Sequence, residues 1–212
     1  MAFLDYLAIT AIFSTLGMFL TGISICRTIK ARGSSEGVSA VPFVLCCVSC
    51  FFWLRYGLLK HDRTVIFINV AGLTLEVAYT YYYYLYTVRK TSLSQLLFAS
   101  VVACAGMLLY IDMVSPTLPT AIDHLGMMCL ALNIINFGAP LAGMKEVIRT
   151  KSAESLPGLL ILANLIVAFQ WFLYGYIIDD VYMKVPNAIG MLLSAAQLAL
   201  FVIYPPVKKT AY

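Results

Sequence analysis

Charged residues are scarce in this chain of 212 residues. Only 11% are Asp, Glu, Lys or Arg, whereas 62% are hydrophobic, and the mean hydropathy is +0.90. A soluble domain carries about 25% charged residues, and a chain of this size has too much surface to stay in water with so few. The composition excludes a water-soluble enzyme, a disordered chain and a partnership with nucleic acid. It indicates an integral membrane protein whose first partner is the lipid bilayer.

Motifs that serve catalysis are missing as well. No phosphate-binding loop of the form G-x-x-x-x-G-K-[ST] occurs, which argues against ATP-driven transport. No Ser/His/Asp or Cys/His arrangement is present, and His61 and His124 lie in or beside predicted outer loops. Cys47 and Cys50 form a C-x-x-C without further ligands, so we interpret them as small hydrophobic side chains of a helix. We expect no catalytic residue, no metal and no cofactor.

Seven hydrophobic runs are long enough to cross a bilayer, for which a helix needs about 20 mostly apolar residues. The first run begins almost at Met1 without a basic segment or a cleavage site, so we expect it to be a retained span. Because the loops between the runs are short, we predict an all-α membrane protein with seven transmembrane helices. The runs are residues 5–26, 41–59, 65–87, 94–114, 124–144, 156–178 and 183–204.

Lys and Arg residues are unevenly distributed between the two sets of loops. Ten lie in loops 1–2, 3–4 and 5–6 and in the tail, including Lys208 and Lys209, whereas Lys60, Arg63 and Lys184 lie in the opposite loops. Since positive residues collect on the cytosolic side, we predict an extracellular or lumenal N-terminus and a cytosolic C-terminus. We expect a multi-pass protein of the plasma membrane, the Golgi or another endomembrane. We interpret the tyrosine-rich stretch at residues 79–86 as an interfacial aromatic belt.

An internal repeat is the most informative pattern in the sequence. Five residues recur with a displacement of 118, and both tryptophans of the chain occupy the same repeat position. Because span 4 restores the chain direction, we predict two parallel three-helix repeats, residues 1–90 and 116–212, joined by a linker helix at 91–115. The repeated residues are Trp53, Tyr56, Gly57, Asn69 and Gly72 in the first copy and Trp171, Tyr174, Gly175, Asn187 and Gly190 in the second.

The repeated Trp and Asn residues are candidates for a substrate site. Counting along the helices places Trp53 and Asn69 at one depth in the outer half of the bilayer, and Trp171 and Asn187 at the matching depth. An indole face packs on the C–H face of a sugar ring, and a carboxamide both donates and accepts hydrogen bonds. The set therefore fits a neutral polyhydroxylated ligand.

Two alternatives to this interpretation stay open. Asn residues can join helices by hydrogen bonds, an explanation that is stronger for Asn133 and Asn164, and Trp residues can mark the membrane interface. Glu76 in span 3 is an intramembrane carboxylate, which suggests proton coupling. In the absence of a second buried acid, we interpret Glu76 as protonated or hydrogen-bonded inside the bundle.

Together these motifs resemble those of the eukaryotic SWEET sugar transporters over essentially the whole chain. The resemblance rests on residues 53–57 (WLRYG) and 68–72 (INVAG) in the first repeat, and on residues 171–175 (WFLYG) and 145–157 (KEVIRTKSAESLP) in the second. It implies two parallel triple-helix bundles in a 3+1+3 layout that build a symmetric pathway. It also implies facilitated, bidirectional diffusion of sugars such as glucose by alternating access, and self-association into a homo-oligomer.

The resemblance further implies roles for individual residues. The substrate would lie at the repeated Trp and Asn residues, and four neighbours would line the pocket, namely Met18, Ser49, Asn136 and Val167. Tyr56 would act in gating, and four positions near the cytosolic ends of spans would act as hinges. These positions are Gly22, Pro42, Pro140 and Pro157, of which the first departs from the proline of the family pattern.

Three rival functions differ from sugar diffusion. A proton-coupled PQ-loop-type carrier of amino acids or other small solutes would depend on Glu76. A seven-helix receptor would show no repeat of 118 residues, and a scaffold would have only the short tail at residues 205–212 for its partner.

Overall fold

A computed structural model describes residues 2–206 of the chain. All regular elements among these residues are α-helices, so the predicted all-α fold is confirmed. The helices are α1 (Ala2–Phe19), α2 (Gly22–Arg32), α3 (Val41–Lys60), α4 (Arg63–Tyr86), α5 (Lys90–Val114), α6 (Leu118–Asn136), α7 (Gly138–Thr150), α8 (Gly158–Ile177) and α9 (Val181–Ile203).

Seven segments are long and apolar enough to cross a membrane, as predicted from the hydrophobic runs. Five of them are the single helices α3, α4, α5, α8 and α9, and the other two, Ala2–Arg32 and Leu118–Thr150, each contain two helices. The protein is therefore a multi-pass membrane protein. Its orientation stays a prediction, and Lys208 and Lys209, which contribute to it, lie outside the described residues.

Spans 1 and 5 are interrupted, although the sequence predicts them as continuous helices. Between α1 and α2, both the N–H and the hydroxyl of Thr21 donate to the Met18 carbonyl, at 3.1 and 2.7 Å, so a tight turn replaces the regular helix bond. Between α6 and α7, the N–H of Phe137 lies 3.2 Å from the Asn133 carbonyl and 3.1 Å from the Ile134 carbonyl. Pro140 follows and lacks the N–H that would continue the ladder.

The chain divides into two contact units, which do not follow the predicted repeat boundaries. In the unit formed by residues 15–129, α3 and α4 make an antiparallel hairpin, α2 packs on α4, and α5 packs on α3. In the unit formed by residues 2–14 and 130–206, α8 and α9 make the hairpin and α7 packs on α9. The boundaries at residues 90 and 116 describe the sequence repeat and stay a prediction.

The hydrophobic cores of the two units use equivalent positions. One core contains Ile29 and Phe43, and the other contains Val147 and Ile161, each displaced by 118 residues from its counterpart. Within a bilayer such side chains stabilise a helix pair through close packing, because lipid tails are as apolar as the side chains themselves. The repeat seen in the motifs therefore extends to the packing.

The tyrosine-rich stretch is only partly an interfacial belt. Tyr79 and Tyr83 are buried in the core of the first unit, and the Tyr83 hydroxyl donates to the Val38 carbonyl at 2.8 Å. Tyr81, in contrast, is 63% exposed. The interpretation of the whole stretch as a belt is wrong for the buried members, because successive tyrosines on a helix face different directions.

Candidate functional site

A tight corner joins α3 to α4 close to the repeated Trp and Asn of the first unit. Gly57 allows the helices to approach, since a Cβ atom there would lie 2.9 Å from Val65 Cγ1 and 3.2 Å from Ile66 N. His61 ends α3 in the left-handed conformation with a φ of 55°. The Asp62 carboxylate then caps α4, accepting from the N–H groups of Thr64 at 2.9 Å and Val65 at 3.1 Å.

The corner between α8 and α9 has the same construction. A Cβ atom on Gly175 would lie 2.7 Å from Met183 Cβ. Asp179 takes the left-handed conformation with a φ of 53°, and Asp180 caps α9 by accepting from the N–H groups of Tyr182 at 3.0 Å and Met183 at 3.2 Å. Each residue lies 118 positions after its counterpart. The capping aspartates were not predicted from the sequence, although their identical displacement was a signal for them.

Each Trp packs edge-on against the Tyr one helical turn later. The ring centroids of Trp53 and Tyr56 lie 5.5 Å apart at 81°, and those of Trp171 and Tyr174 lie 5.6 Å apart at 73°. Both tyrosines are buried and both tryptophans are half-buried. Such edge-to-face pairs fix the orientation of the indole. Each Trp is therefore held as a positioned aromatic surface.

Both repeated asparagines bond to their own helix. The side-chain N–H of Asn69 donates to the Val65 carbonyl, and that of Asn187 donates to the Met183 carbonyl, in each case at 2.8 Å. A carboxamide has two N–H donors and an oxygen with two lone pairs. The bond to the preceding turn uses one donor, fixes the rotamer and leaves the oxygen for another partner. Both bonds lie within one helix. They therefore do not support the alternative interpretation, in which the asparagines join neighbouring helices.

One turn after each Asn, a glycine faces the other helices of its repeat, with crowding at Gly72 and ordinary van der Waals distances at Gly190. A Cβ atom on Gly72 would clash with the ring of Phe19 and lie 3.0 Å from Cys50 Sγ. A Cβ atom on Gly190 would lie 3.7 Å from the Phe137 ring. Phe19 and Phe137 are again displaced by 118 residues. Sequence reasoning missed them, because one phenylalanine in an apolar helix carries no distinguishing signal.

A polar cavity of about 260 Å³ lies among the helices of the second unit. It brings together Asn136, Val167 and Asn187 of the predicted substrate residues. Among the described residues, no hydrogen bond from Asn133 or Asn164 to another helix is present, so the interhelical role expected for them is not seen. The polar residues that line the cavity are Asn133, Asn136, Asn164, Asn187, Ser194 and Gln197.

The residues of this cavity that were not foreseen include a proline and two polar side chains of α9. Pro186 is the proline inside α9, directly before Asn187, and it is buried. Ser194 corresponds by displacement to Glu76, and Gln197 corresponds to Tyr79. A proline near the start of an apolar run was a usable signal, whereas Ser and Gln in a helix were not.

Trp171 belongs to the same unit but does not line this cavity, and the other predicted pocket residues lie in the first unit. Ser49 on α3 is buried, and Met18 near the end of α1 is half-buried. Both belong to the unit of residues 15–129, and their role in binding stays a prediction. Within residues 2–206, no group of three His, Cys, Asp or Glu side chains could hold a metal ion.

The four predicted hinge positions all lie at the beginning of helices. Gly22 is the first residue of α2, Pro42 and Pro140 lie in the first turns of α3 and α7, and Pro157 is the cap of α8. A proline in a first turn replaces an N–H that has no partner within the helix, so it ends or starts a helix without kinking it. Their action as hinges, and that of Tyr56 in gating, stays a prediction.

The hinge positions of spans 1 and 5 contact different side chains. The ring of Tyr79 packs so closely on Gly22 that a Cβ atom there would clash with it. At the equivalent place in the second unit, the Gln197 amide lies 3.4 Å from the Pro140 carbonyl. Glycine at position 22 thus occurs where the neighbouring side chain is a large aromatic ring, that of Tyr79.

Comparison with known proteins gives the same repeat. The family model described as "Sugar efflux transporter for intercellular exchange" matches residues 5–91 and again residues 123–209. The two stretches begin 118 residues apart and end 118 residues apart. The model thus matches the chain twice, at the displacement predicted from the Trp and Asn motifs.

Individual relatives match over nearly the whole chain. The "Sugar transporter SWEET1" of Caenorhabditis elegans is 40% identical over 95% of this chain, which spans 66% of that protein's length. The "Bidirectional sugar transporter SWEET9" of Arabidopsis thaliana is 33% identical over 92% of this chain and 77% of that protein. The solved structure of a eukaryotic SWEET transporter matches with a TM-score of 0.86 and 26% identity, covering 95% of this chain and 96% of that one. This chain therefore belongs to the SWEET family of sugar transporters, a family of carriers rather than enzymes.

Proposed function

We propose that this protein mediates facilitated, bidirectional diffusion of a monosaccharide such as glucose by alternating access. The residues proposed to bind the sugar are Trp53 and Asn69 in one unit and Trp171 and Asn187 in the other. The observation that carries the proposal is the repeated geometry, in which each unit holds an edge-packed Trp and a rotamer-fixed Asn beside a tight corner. A fixed indole and a fixed amide bind a sugar with little loss of side-chain entropy.

The cavity of the second unit supports a small polar substrate. Its volume of about 260 Å³ is below the range of about 300–1,000 Å³ that is typical of sites for drug-sized ligands. Four asparagines line it, and their amides complement hydroxyl groups that act as both donors and acceptors. This size and chemistry favour a monosaccharide over a disaccharide. Asn136 and Val167 are the proposed neighbours in this unit, and Ser49 and Met18 are their proposed counterparts in the other.

The proposed mechanism needs bending at one end of each repeat. The corners at Gly57 and Gly175 are closed by backbone bonds, with the Asp62 N–H 2.9 Å from the Gly57 carbonyl and the Asp180 N–H 2.7 Å from the Gly175 carbonyl. The interruptions of spans 1 and 5 lie beside Gly22 and Pro140. We therefore assign the hinge motion to these interruptions, with Pro42 and Pro157 at the starts of neighbouring spans and Tyr56 in the gate.

The distribution of basic residues supports a proposed orientation. The N-terminus would be extracellular or lumenal and the C-terminus cytosolic, in the plasma membrane, the Golgi or another endomembrane. A homo-oligomer is the proposed assembly, because the family resemblance implies self-association.

Uptake of labelled glucose by a transport-deficient cell tests the proposed site. We expect Trp171→Ala or Asn187→Ala to reduce uptake to about a tenth or less, because losing a buried packing or hydrogen-bonding partner costs about 1–3 kcal/mol. Phe169→Ala on the same helix removes an aromatic side chain that is 49% exposed, and it should transport normally. Surface expression of each variant is measured in parallel. Normal uptake by both site variants would exclude the assignment.

Glu76 supports a second candidate, a proton-coupled carrier of amino acids or other small solutes. Its side chain is in the middle of α4, and the residue is only 7% exposed. A buried carboxyl in a membrane helix can bind and release a proton during transport. The equivalent residue of the second repeat is Ser194, which has no such chemistry.

A further inference from the structure

A large apolar groove lies between the linker helix α5 and the hairpin of α3 and α4. Its volume is about 700 Å³. The side chains that form its walls include Val48 and Phe51 of α3, Val77 of α4, and Leu97 and Leu108 of α5. It lies entirely within the unit of residues 15–129 and shares no residue with the proposed sugar site.

Two polar side chains of the groove wall are directed to the protein itself. The Ser100 hydroxyl donates to the Leu96 carbonyl at 2.8 Å, and the Thr80 hydroxyl lies 4.0 Å from the Cys47 sulfur. A sugar would have to leave its own hydroxyl groups without partners on such a surface, at a cost of about 1–3 kcal/mol for each group. The groove therefore suits a hydrocarbon occupant.

The length of the groove matches one leaflet of a bilayer. Along α4 the lining residues run from Leu73 to Tyr84, and along α5 they run from Leu97 to Leu108. At a rise of 1.5 Å per residue, each stretch is about 16 Å long. The hydrocarbon core of a bilayer is about 30 Å thick. The groove thus accommodates an acyl chain from the leaflet at the end of the bundle where α4 ends and α5 begins.

Two basic residues lie at that end of the groove. The Lys90 ammonium lies 5.5 Å from the ring centroid of Tyr84, a lining residue, and Arg89 is exposed beside it. Within residues 2–206, neither cation forms an ion pair. The segment between the helices contains no acidic residue. A negatively charged group at this level would be attracted, and the phosphate of a lipid lies at this level when its chains occupy the groove.

We propose that this groove binds an anionic glycerophospholipid, with an acyl chain between α5 and the α3–α4 hairpin and the headgroup phosphate at Arg89 and Lys90. The lipid fills the space beside a helix that otherwise buries little of its surface, since Leu93 and Ile111 are the buried residues of α5. The bound lipid thereby holds the linker helix against the first repeat. A sterol has no charge to match the cations.

Photo-crosslinking of the full chain in nanodiscs tests the proposal. The probes are phosphatidylglycerol and phosphatidylcholine with the same photoreactive acyl chain, and a photoreactive cholesterol. We expect phosphatidylglycerol to label the peptides of α3, α4 and α5 that line the groove, at least about fivefold more than phosphatidylcholine, since each cation near the surface contributes about this factor. Equal labelling by the two phospholipids, or stronger labelling by cholesterol, would overturn the proposal.

Matched variants separate the groove from the general lipid surface. Ala105 lines the groove, whereas Ala103 is exposed on another face of the same helix. Ala105→Phe should reduce labelling of the groove peptides at least about fivefold, and Ala103→Phe should leave it unchanged. An equal effect of both substitutions, or none, would contradict the proposed site. Monodispersity in gel filtration verifies folding, and the peptide map of the unmodified protein tests the site independently of any variant.

A pair of charge variants tests the headgroup contact. Arg89→Gln with Lys90→Gln should abolish the preference for phosphatidylglycerol without lowering the labelling by phosphatidylcholine. The control is Lys30→Gln with Arg32→Gln, which removes two exposed cations from the C-terminal end of α2. If the control variant lost the preference to the same extent, general attraction by the positive surface would explain the preference. The proposed contact at Arg89 and Lys90 would then be rejected.

Discussion

At the scale of single residues, the two repeats differ at the equivalent positions Gly22 and Pro140. The Gly22 position contacts the Tyr79 ring, and the Pro140 carbonyl faces the Gln197 amide. Within residues 2–206, the Tyr79 hydroxyl is buried without a hydrogen-bond partner. Since proline is well tolerated as the first residue of a helix, the backbone does not require glycine at position 22. Glycine is required there because the Tyr79 ring occupies the space of a larger side chain.

This pairing predicts the effect of making the first repeat resemble the second. We expect Gly22→Pro alone to destabilise the protein by about 1–3 kcal/mol, because it overpacks against the Tyr79 ring. Combining it with Tyr79→Gln should restore much of the loss, since the smaller amide makes room and can bond to the carbonyl at position 22. The thermal stability of detergent-solubilised protein measures both. A double variant as unstable as the sum of the single variants would contradict the pairing.

Individual site residues could be predicted from the sequence where their residue type is rare in the chain. Trp53 and Trp171 could be found because the chain has two tryptophans, and their shared displacement gave the repeat. Gln197 could not be recognised in this way, because its partner is a backbone carbonyl and its counterpart Tyr79 has a different chemistry. Sequence patterns report side-chain identity, whereas contacts to the backbone depend on the packing of the helices.

At the scale of elements, the helix hairpins depend on glycine at their corners. The atoms that crowd Gly175 include the backbone N of Lys184, at 3.1 Å from a Cβ atom built there, and backbone does not move away as a flexible side chain can. The same holds at Gly57 with Ile66 N. The close approach lets the aspartate caps and the left-handed residues form in a corner of only a few residues.

Substitution of the corner glycines tests this dependence. We expect Gly175→Ala and Gly57→Ala each to lower the free energy of unfolding by about 1–3 kcal/mol through overpacking. Gly106→Ala in α5 is the matched control, because a Cβ atom there meets nothing within 4 Å. Its higher helix propensity should stabilise the protein by up to about 1 kcal/mol. Unfolding temperatures that fall equally for the corner and control variants would refute the corner model.

The ends of helices could be predicted where the sequence changes from apolar to polar residues. They could not be predicted where only the backbone geometry changes. The spans at α3, α4, α8 and α9 end at loops with polar residues, which the sequence marks. The breaks at Thr21 and Phe137 lie inside apolar runs, so hydropathy carries no trace of them. A side chain to carbonyl bond such as that of Thr21 competes with the helix ladder only once the surrounding helices fix the turn.

At the scale of the whole molecule, transport without an energy source has a thermodynamic signature. A carrier with one alternating substrate site and no coupled ion can only equalise the sugar concentration on the two sides. The seven spans and the repeat were predictable, because the bilayer imposes its length on each helix. The function was predictable to the level of the family. The carried sugar depends on distances between side chains, which no hydropathy pattern contains.

Flux measurements in proteoliposomes test this signature. We expect glucose entry to stop at equal concentrations inside and outside, with or without an acidic exterior, and Glu76→Gln to behave in the same way. The initial rate at two external pH values and the final internal concentration are the readouts. Accumulation above the external concentration in acid, lost in Glu76→Gln, would establish proton coupling instead.

The linker helix α5 is the span without a counterpart, and the family model matches the residues on either side of it but not residues 92–122. After a duplication, paired positions in the two repeats are constrained by one shared geometry. The linker is free of that constraint, and apart from its contacts with the first repeat most of its surface is left to the membrane. Substitutions on that surface can therefore suit a different lipid composition without changing the paired positions of the repeats. The same carrier architecture could in this way serve different membranes without altering the residues proposed to bind the sugar.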